Sequence, residues 1–116
     1  AIETTTAGDL PGAESPVCKL GNGPVVSFMD KGTVYSRELF RAALDTAAEK
    51  GIPCQIKEGV SGGNESRSVQ SARAGAQVLA VSAPCRYLHS PSCLLKSGDL
   101  EAMMRLLPAL MERFAL

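Results

Sequence analysis

The most constraining feature of this sequence is a short apolar run at residues 78–83, which reads VLAVSA. The run is too short to span a bilayer, which takes about 20 apolar residues, and its length is typical of a strand. A strand that is apolar on both faces must be covered on both faces, as at the centre of an α/β sheet. Residues 78–83 therefore predict a buried central strand.

Further strand and helix signals surround this run. Residues 2–6 are rich in β-branched side chains, and residues 25–29 and 54–57 are short, bounded strand candidates. Helices are predicted at residues 36–50 and 65–74 and from residue 97 onward, with broad apolar stripes on the first and last. Strands that alternate with helices predict a layered α/β fold with right-handed crossovers.

Local signals mark the ends of the helices. Ser36 is a favourable N-cap for the first helix, and Gly51 followed by Pro53 should end it. Ser97 is the expected N-cap of the last helix. Pro108 should kink that helix because proline lacks a backbone donor and crowds the preceding turn.

Composition excludes several classes of protein. A length of 116 residues allows one domain. Twelve Lys and Arg balance twelve Asp and Glu, so neither nucleic acid nor an anionic membrane is an expected partner. No apolar run could cross a bilayer, and the first residues do not resemble a secretory signal. The four cysteines lack CxxC spacing, so we expect free thiols in a reducing cytoplasm.

His89 is the single histidine and follows the predicted central strand. Open α/β sheets place their sites beyond the carboxyl ends of strands, and imidazole is a common metal ligand. A loop histidine that is only hydrogen-bonded is the alternative interpretation. A zinc site made by Cys85, His89 and Cys93 is a third, although closed structural zinc sites usually have four ligands.

Other residues are candidates for ligand contact. Gly62 and Gly63 form a loop whose backbone can approach a ligand closely, but they lack the sequence context of a phosphate-binding loop. Arg86 and Tyr87 are either a functional pair or an arginine stem packed on an aromatic ring. The carboxylates near predicted strand or loop ends are Glu3, Asp9 and Glu65. Each of these carboxylates either binds a ligand or faces solvent.

Three segments carry a family resemblance. Residues 2–12 read IETTTAGDLPG, residues 19–24 read KLGNGP and lead through a strand to Met29 and Asp30, and residues 84–91 read PCRYLHSP. In order and spacing, these segments resemble the C-terminal half of the catalytic domain in the metalloaminopeptidases of peptidase family M42. The third segment is the most specific, and the resemblance covers essentially the whole chain.

The resemblance implies a fold and a metal site. The fold would be a layered α/β domain with a central mixed sheet, part of a zinc-peptidase-like catalytic domain. The site would hold two divalent metal ions, zinc or cobalt. Glu3 matches an acidic ligand of one metal, and His89 matches a ligand of the other.

The resemblance also implies a substrate cleft. The loop with Gly62, Gly63 and Glu65 and the pair of Arg86 and Tyr87 would line it. The family commonly reads GGGTD where this chain has SGGNE, so Glu65 replaces an aspartate and extends the charge by one methylene. The amino-acid preference of the family therefore does not transfer directly.

The remaining site residues of the family, including the general base, lie upstream and have no counterpart in this sequence. Residues 1–116 are therefore expected to be the C-terminal segment of the catalytic domain, without its upstream half, without the dimerisation domain and without a catalytic residue. A strand-like start that lacks Met agrees with a segment of a longer protein. The intact protein would be a cytoplasmic homo-oligomer that removes the N-terminal residue of peptides, and this chain alone would be inactive.

Two alternatives stay open at this point. The chain could be a non-catalytic remnant that assembles with other proteins. A polysaccharide hydrolase is a further option, although no carboxylate pair for it is evident. The peptidase interpretation makes a geometric prediction: Glu3 and His89 should face one cleft with their nearest atoms within about 8 Å, because they would serve neighbouring metals.

Overall fold

The computed structural model describes residues 1–115 as a four-stranded mixed sheet with helices packed against it. The strands are β1 (Ile2–Thr6), β2 (Val25–Val26), β3 (Gln55–Ile56) and β4 (Val81–Cys85). The helices are α1 (Arg37–Lys50), α2 (Ser66–Ser71) and α3 (Ser97–Arg113). The predicted α/β fold with a mixed sheet is confirmed.

The strand order across the sheet is β1-β4-β2-β3. β4 runs parallel to β1, with Ile2 opposite Val81 and Thr6 opposite Cys85. β2 is antiparallel to β4 and parallel to β3. Every residue of β4 is buried, which confirms that the chain's most apolar strand lies inside the sheet.

β4 begins and ends later than residues 78–83, the range expected from the sequence. Val78 and Leu79 are buried, and their carbonyls accept hydrogen bonds from Ser36 N and from the amino group of Ala1, which lie outside the strands. Val78 and Leu79 therefore lead into β4. Pro84 lies inside β4 even though it has no N–H to donate. Val81 N donates toward β1, so strand alternation turns the nitrogen of Pro84 toward β2. Pairing with β2 ends at Ser82, and the missing donor therefore breaks no ladder bond.

α1 has the ends that the sequence predicts. The Ser36 side chain accepts a 3.3 Å hydrogen bond from Leu39 N, which satisfies one of the free donors of the first turn. Gly51 has φ of 62°, a left-handed conformation that glycine adopts without a steric penalty, and its N–H bonds to the last turn.

The other two helices differ from expectation at their ends. Lys96 holds the cap position of α3 in an extended conformation and Ser97 is the first helical residue, so the predicted Ser97 cap is wrong by one position. α3 continues through Pro108. α2 is shorter than the predicted range of residues 65–74.

The core lies between the helices and the sheet. α1 and α3 contact each other, and they pack on β2 and β4 respectively. The buried residues at this contact include Val26, Ala43, Val81 and Leu106. No helix within residues 1–115 is long and apolar enough to cross a membrane.

Candidate functional site

Glu3 lies on β1, opposite Ser82 of β4, and is half-buried. Its Oε1 accepts a 2.9 Å hydrogen bond from Asn64 Nδ2. Side chains alternate along a strand, which leaves Ile2 and Thr4 exposed on the opposite face. The edge strand therefore presents one carboxylate beside the loop that precedes α2.

Asn64 connects Glu3 to two buried polar groups. Its Nδ2 also donates to the hydroxyl of Tyr35 at 2.9 Å. That hydroxyl donates to Asp30 Oδ2 at 2.5 Å, and Asp30 Oδ1 accepts from Gly32 N at 2.8 Å. Burial, followed by the hydrogen bond to Asp30, raises the pKa of Tyr35. The phenol therefore keeps its proton at neutral pH and remains the donor.

The glycine loop lies against the turn that follows β2. Gly62 O accepts a 2.9 Å hydrogen bond from Lys31 N, and Gly62 adopts a φ of 76°. Gly62 and Gly63 are exposed, and Glu65, also exposed, precedes α2 without making a side-chain cap. An open depression of about 320 Å³ at this loop is lined by Lys31, Gly32, Gly62, Gly63, Asn64 and Arg67.

Arg86 is bound to Asp9. Arg86 Nε donates to Asp9 Oδ1 at 2.8 Å, and Arg86 Nη2 donates to Asp9 O at 3.2 Å. Asp9 Oδ2 accepts from Leu20 N at 2.8 Å. The hydrogen bond from Arg86 holds the pKa of Asp9 below its ordinary value. One carboxylate thus joins segments 2–12, 19–24 and 84–91, the three that carry the family resemblance.

The segment that reads KLGNGP is also held from the start of α3. Asp99 is buried, and its two carboxylate oxygens accept 2.8 Å hydrogen bonds from Gly21 N and Gly23 N. A Cβ atom at Gly23 would lie 2.3 Å from Pro53 O, so this close approach requires glycine. This segment therefore contributes to the scaffold of the site.

Tyr87 and His89 lie in an exposed turn after β4, with left-handed φ values of 63° and 64°. Non-glycine residues adopt this region at a cost, and such strain concentrates at functional sites. β1 is the neighbour of β4 and runs parallel to it, so the strands that carry Glu3 and lead to His89 are adjacent, as predicted. The distance of about 8 Å between the two side chains stays a prediction.

The donor chemistry of Glu3 and His89 suits zinc or cobalt, which bind carboxylate oxygen and imidazole nitrogen. Two ligands are fewer than a metal site needs, however. Within residues 1–115, no three His, Cys, Asp or Glu side chains form a group that could hold a metal ion. The proposed zinc site of Cys85, His89 and Cys93 is therefore not formed in this structure.

The four cysteines are free thiols. Cys18 and Cys85 are buried, Cys54 is half-buried and Cys93 is exposed. Burial raises the pKa of Cys18 to about 12 and that of Cys54 to about 11.

Sequence patterns alone did not identify Asp30, Tyr35 and Asn64 as parts of one group. Asp30 follows a predicted strand, and Asn64 stands where the related family commonly has threonine. Tyr35 gives no signal beyond its position before the first helix. The contacts join residues 29 and 61 positions apart, which no local spacing encodes.

The family model for M42 glutamyl aminopeptidases matches residues 1–106. FrvX of Escherichia coli K12, an aminopeptidase by name, is 31% identical over 109 residues. That alignment covers 91% of this chain and 30% of FrvX.

Two solved structures agree with this match. The TET aminopeptidase of the marine sediment archaeon Thaumarchaeota archaeon SCGC AB-539-E09 has a TM-score of 0.92 and 29% identity, over 99% of this chain and 32% of that one. The Pyrococcus horikoshii TET1 peptidase, which can assemble into a tetrahedron or a large octahedral shell, has a TM-score of 0.74 and 32% identity. The match covers 94% of this chain and 32% of that one. The chain thus spans about a third of the length of these relatives.

Proposed function

Because the chain belongs to the M42 glutamyl aminopeptidase family, we propose that it is the C-terminal part of the catalytic domain of an aminopeptidase. The intact enzyme would act in the cytoplasm and hydrolyse the N-terminal residue of peptides. The family match over residues 1–106 carries this proposal. The three motif segments support it, because Asp9 joins all of them into one structural unit.

Glu3 and His89 would be two ligands of a site for two divalent ions, zinc or cobalt. Bound metals of this kind supply Lewis acidity and a water of lowered pKa. Asn64 holds Oε1 of Glu3, which leaves Oε2 for a cation. His89 lies in an exposed, strained turn, where its ring is accessible to partners from outside residues 1–115.

The other predicted cleft residues divide into two groups. Gly62, Gly63, Glu65 and Tyr87 are exposed and would contact the peptide substrate. Arg86 donates two hydrogen bonds to Asp9, so we assign it the role of holding the turn that carries Tyr87. No residue of this chain is proposed as the general base.

A second segment would complete the site. β1 is an edge of the sheet, so one side of its backbone has no strand partner within residues 1–115. Unpaired strand edges pair readily with a further strand. We propose that the upstream half of the domain packs beside β1 and brings the missing ligands. By analogy with the TET1 peptidase, the intact protein would assemble into a homo-oligomer.

A chimeric enzyme tests the proposal. This chain would replace the matching C-terminal part of the Pyrococcus horikoshii TET1 peptidase, and the purified product would be assayed with zinc or cobalt on a panel of aminoacyl p-nitroanilides. We expect metal-dependent turnover that falls by at least about 100-fold in Glu3→Ala and His89→Ala. Glu14→Ala, which removes an exposed carboxylate, is the matched control and should retain activity.

Two outcomes would contradict the proposal. Undiminished turnover in Glu3→Ala and His89→Ala would remove both residues from the metal site. An assembled, folded chimera without turnover on any substrate would favour the non-catalytic alternative.

A further inference from the structure

Asn64 is the central residue of a hydrogen-bonded chain that ends at Glu3. Its two Nδ2 hydrogens are both used, one on Glu3 Oε1 and one on the Tyr35 hydroxyl. Its Oδ1 accepts a 2.8 Å bond from Ser66 N. A backbone N–H can bind only the amide oxygen and a carboxylate only the amide nitrogen, so these partners fix the orientation of the amide.

Tyr35 and Asp30 continue this chain into the interior. They are only 3% and 6% exposed, and the Tyr35 hydroxyl donates to Asp30 while it accepts from Asn64. Burying a carboxylate and a phenol is unfavourable unless both are hydrogen-bonded, and an apolar pair would fill the same space without that penalty. Asp30 is itself anchored by Gly32 N. Packing alone would therefore not select these polar residues.

Each hydrogen in this network has one acceptor, so the donors and acceptors are fixed. Tyr35 donates toward Asp30, which leaves its hydroxyl oxygen to accept one Nδ2 hydrogen of Asn64, and the other Nδ2 hydrogen is donated to Glu3. The bonds from Asn64 to Tyr35 and from Tyr35 to Asp30 run head to tail and strengthen each other, whereas the bond to Glu3 branches from the same amide. The bond from Asn64 holds one carboxylate oxygen of the half-buried Glu3.

We propose that Asn64, Tyr35 and Asp30 are positioning residues that hold the Glu3 carboxylate in one orientation, with Oε2 directed to a divalent cation. The inference rests on the proposed role of Glu3 as a metal ligand and deepens it. Partners that orient a metal-binding side chain typically change metal affinity by about 10–100-fold when removed. Tyr35 would act on Glu3 through Asn64, without contact with the cation.

The experiment uses the 116-residue chain labelled with ¹³C and ¹⁵N. Asn64→Ala and Tyr35→Phe are compared with Asn22→Ala, which removes the one other asparagine, an exposed one. We expect the carboxyl ¹³C signal of Glu3 to shift and its side-chain rotamers to average in the first two variants and not in Asn22→Ala. Tyr35→Phe keeps the buried ring, so a folded protein remains available if Asn64→Ala does not fold.

A cobalt titration of the chimeric enzyme, followed by the visible absorption of bound Co²⁺, separates this inference from the proposed function, because the chimera supplies the metal ligands that residues 1–115 lack. Half-saturation should require at least about tenfold more Co²⁺ in Tyr35→Phe than in the unmodified chimera, and Glu3→Gln should abolish binding at one of the two metal positions. An unmoved Glu3 carboxyl signal in both network variants would overturn the positioning role. Cobalt binding that Glu3→Gln leaves unchanged would overturn the metal-ligand proposal, and the positioning inference that depends on it, even if the carboxyl signal had moved.

Discussion

Arg86 and Asp9, 77 positions apart in the sequence, form an ion pair with 2.8 Å between Nε and Oδ1. Because Asp9 also accepts a hydrogen bond from Leu20 N, the pair connects three loops. The side chain of Asp9 is only 11% exposed, whereas Arg86 is 28% exposed. The contact is therefore a partly buried link between the loops beside β1 and β4, and not a solvent-exposed surface ion pair.

Asp9→Asn should reduce stability in a pH-dependent way. The folded-state pKa of Asp9 is lowered, first by the hydrogen bond from Arg86, so the stabilisation is present above the ordinary pKa of 3.8 and is lost as pH falls through the lowered value. At pH 7 we expect the variant to lose about 1 kcal/mol in free energy of unfolding. Urea unfolding at several pH values measures the difference, which should shrink as the pH falls below 3.8.

Asp45→Asn is the control for this measurement, because Asp45 is an exposed carboxylate in the middle of α1. It should change stability little at any pH. If the loss of stability in Asp9→Asn stays constant down to acidic pH, the contribution of Asp9 would depend on the shape of its side chain and not on its charge.

The left-handed turn at His89 predicts an unusual order of stability among variants. Glycine adopts a φ of 64° without strain, whereas any Cβ costs about 1 kcal/mol there. His89→Gly should therefore be more stable than His89→Ala by about that amount, although glycine destabilises most sites. Thermal unfolding of both variants decides this, and an alanine variant as stable as the glycine variant would argue against a left-handed residue 89.

Much of the fold could be predicted from local sequence patterns. Ser36 and Gly51 mark the ends of α1 because caps depend on one or two residues. The apolar run before Pro84 indicates a central strand because burial on both faces excludes polar residues. The exact strand end was not predictable, since Pro84 is tolerated only where β2 stops pairing, and that depends on tertiary structure.

The site was less predictable than the fold. Family resemblance pointed to Glu3 and His89, but the hydrogen bonds from Asn64 to Glu3 and Tyr35 depend on how the loops meet. Arg86 was a candidate for substrate contact, and only the structure shows its bonds to Asp9. Contacts between distant segments arise from tertiary packing, which periodicity and spacing do not encode.

The thiols should react at very different rates. Cys93 is exposed, while burial raises the pKa of Cys18 to about 12, so its reactive thiolate is rare at pH 8. A thiol with an ordinary pKa of about 8.5 has on the order of 10³ times more thiolate at that pH. Titration with a disulfide reagent should show one fast thiol and three slow ones, and four fast thiols in denaturant. A fast phase that persists in Cys93→Ser would contradict this assignment.

The isolated 116-residue chain should not hydrolyse aminoacyl substrates. Positioning, nucleophile generation and charge stabilisation act as a unit, and residues 1–115 contain no group of three side chains that could hold a metal. The purified chain can be assayed with zinc or cobalt on aminoacyl p-nitroanilides. Metal-dependent turnover that is lost with a chelator and in His89→Ala would show that this segment is catalytically sufficient.

The proximity of Glu3 and His89 is the prediction that most directly tests the metal site. β1 and β4 are parallel neighbours, so their carboxyl ends lie at the same edge of the sheet. Glu3 precedes the end of β1 by three residues, and His89 follows the end of β4 by four. Glu3 therefore lies about 10 Å from that edge along the strand direction, and the turn after β4 must bring the His89 ring back over part of this distance.

We expect nearest side-chain atoms within about 8 Å, which corresponds to two ligands on neighbouring metals. Nuclear Overhauser contacts from the His89 ring to residues beside Glu3 on β1 would measure this approach in the metal-free chain. In the chimeric enzyme, which supplies the ligands that residues 1–115 lack, Glu3→Ala and His89→Ala should both weaken cobalt binding, with Glu14→Ala as the control that does not. A His89 ring that contacts only its own turn, together with unchanged cobalt binding in His89→Ala, would make His89 a loop residue and end its assignment as a ligand.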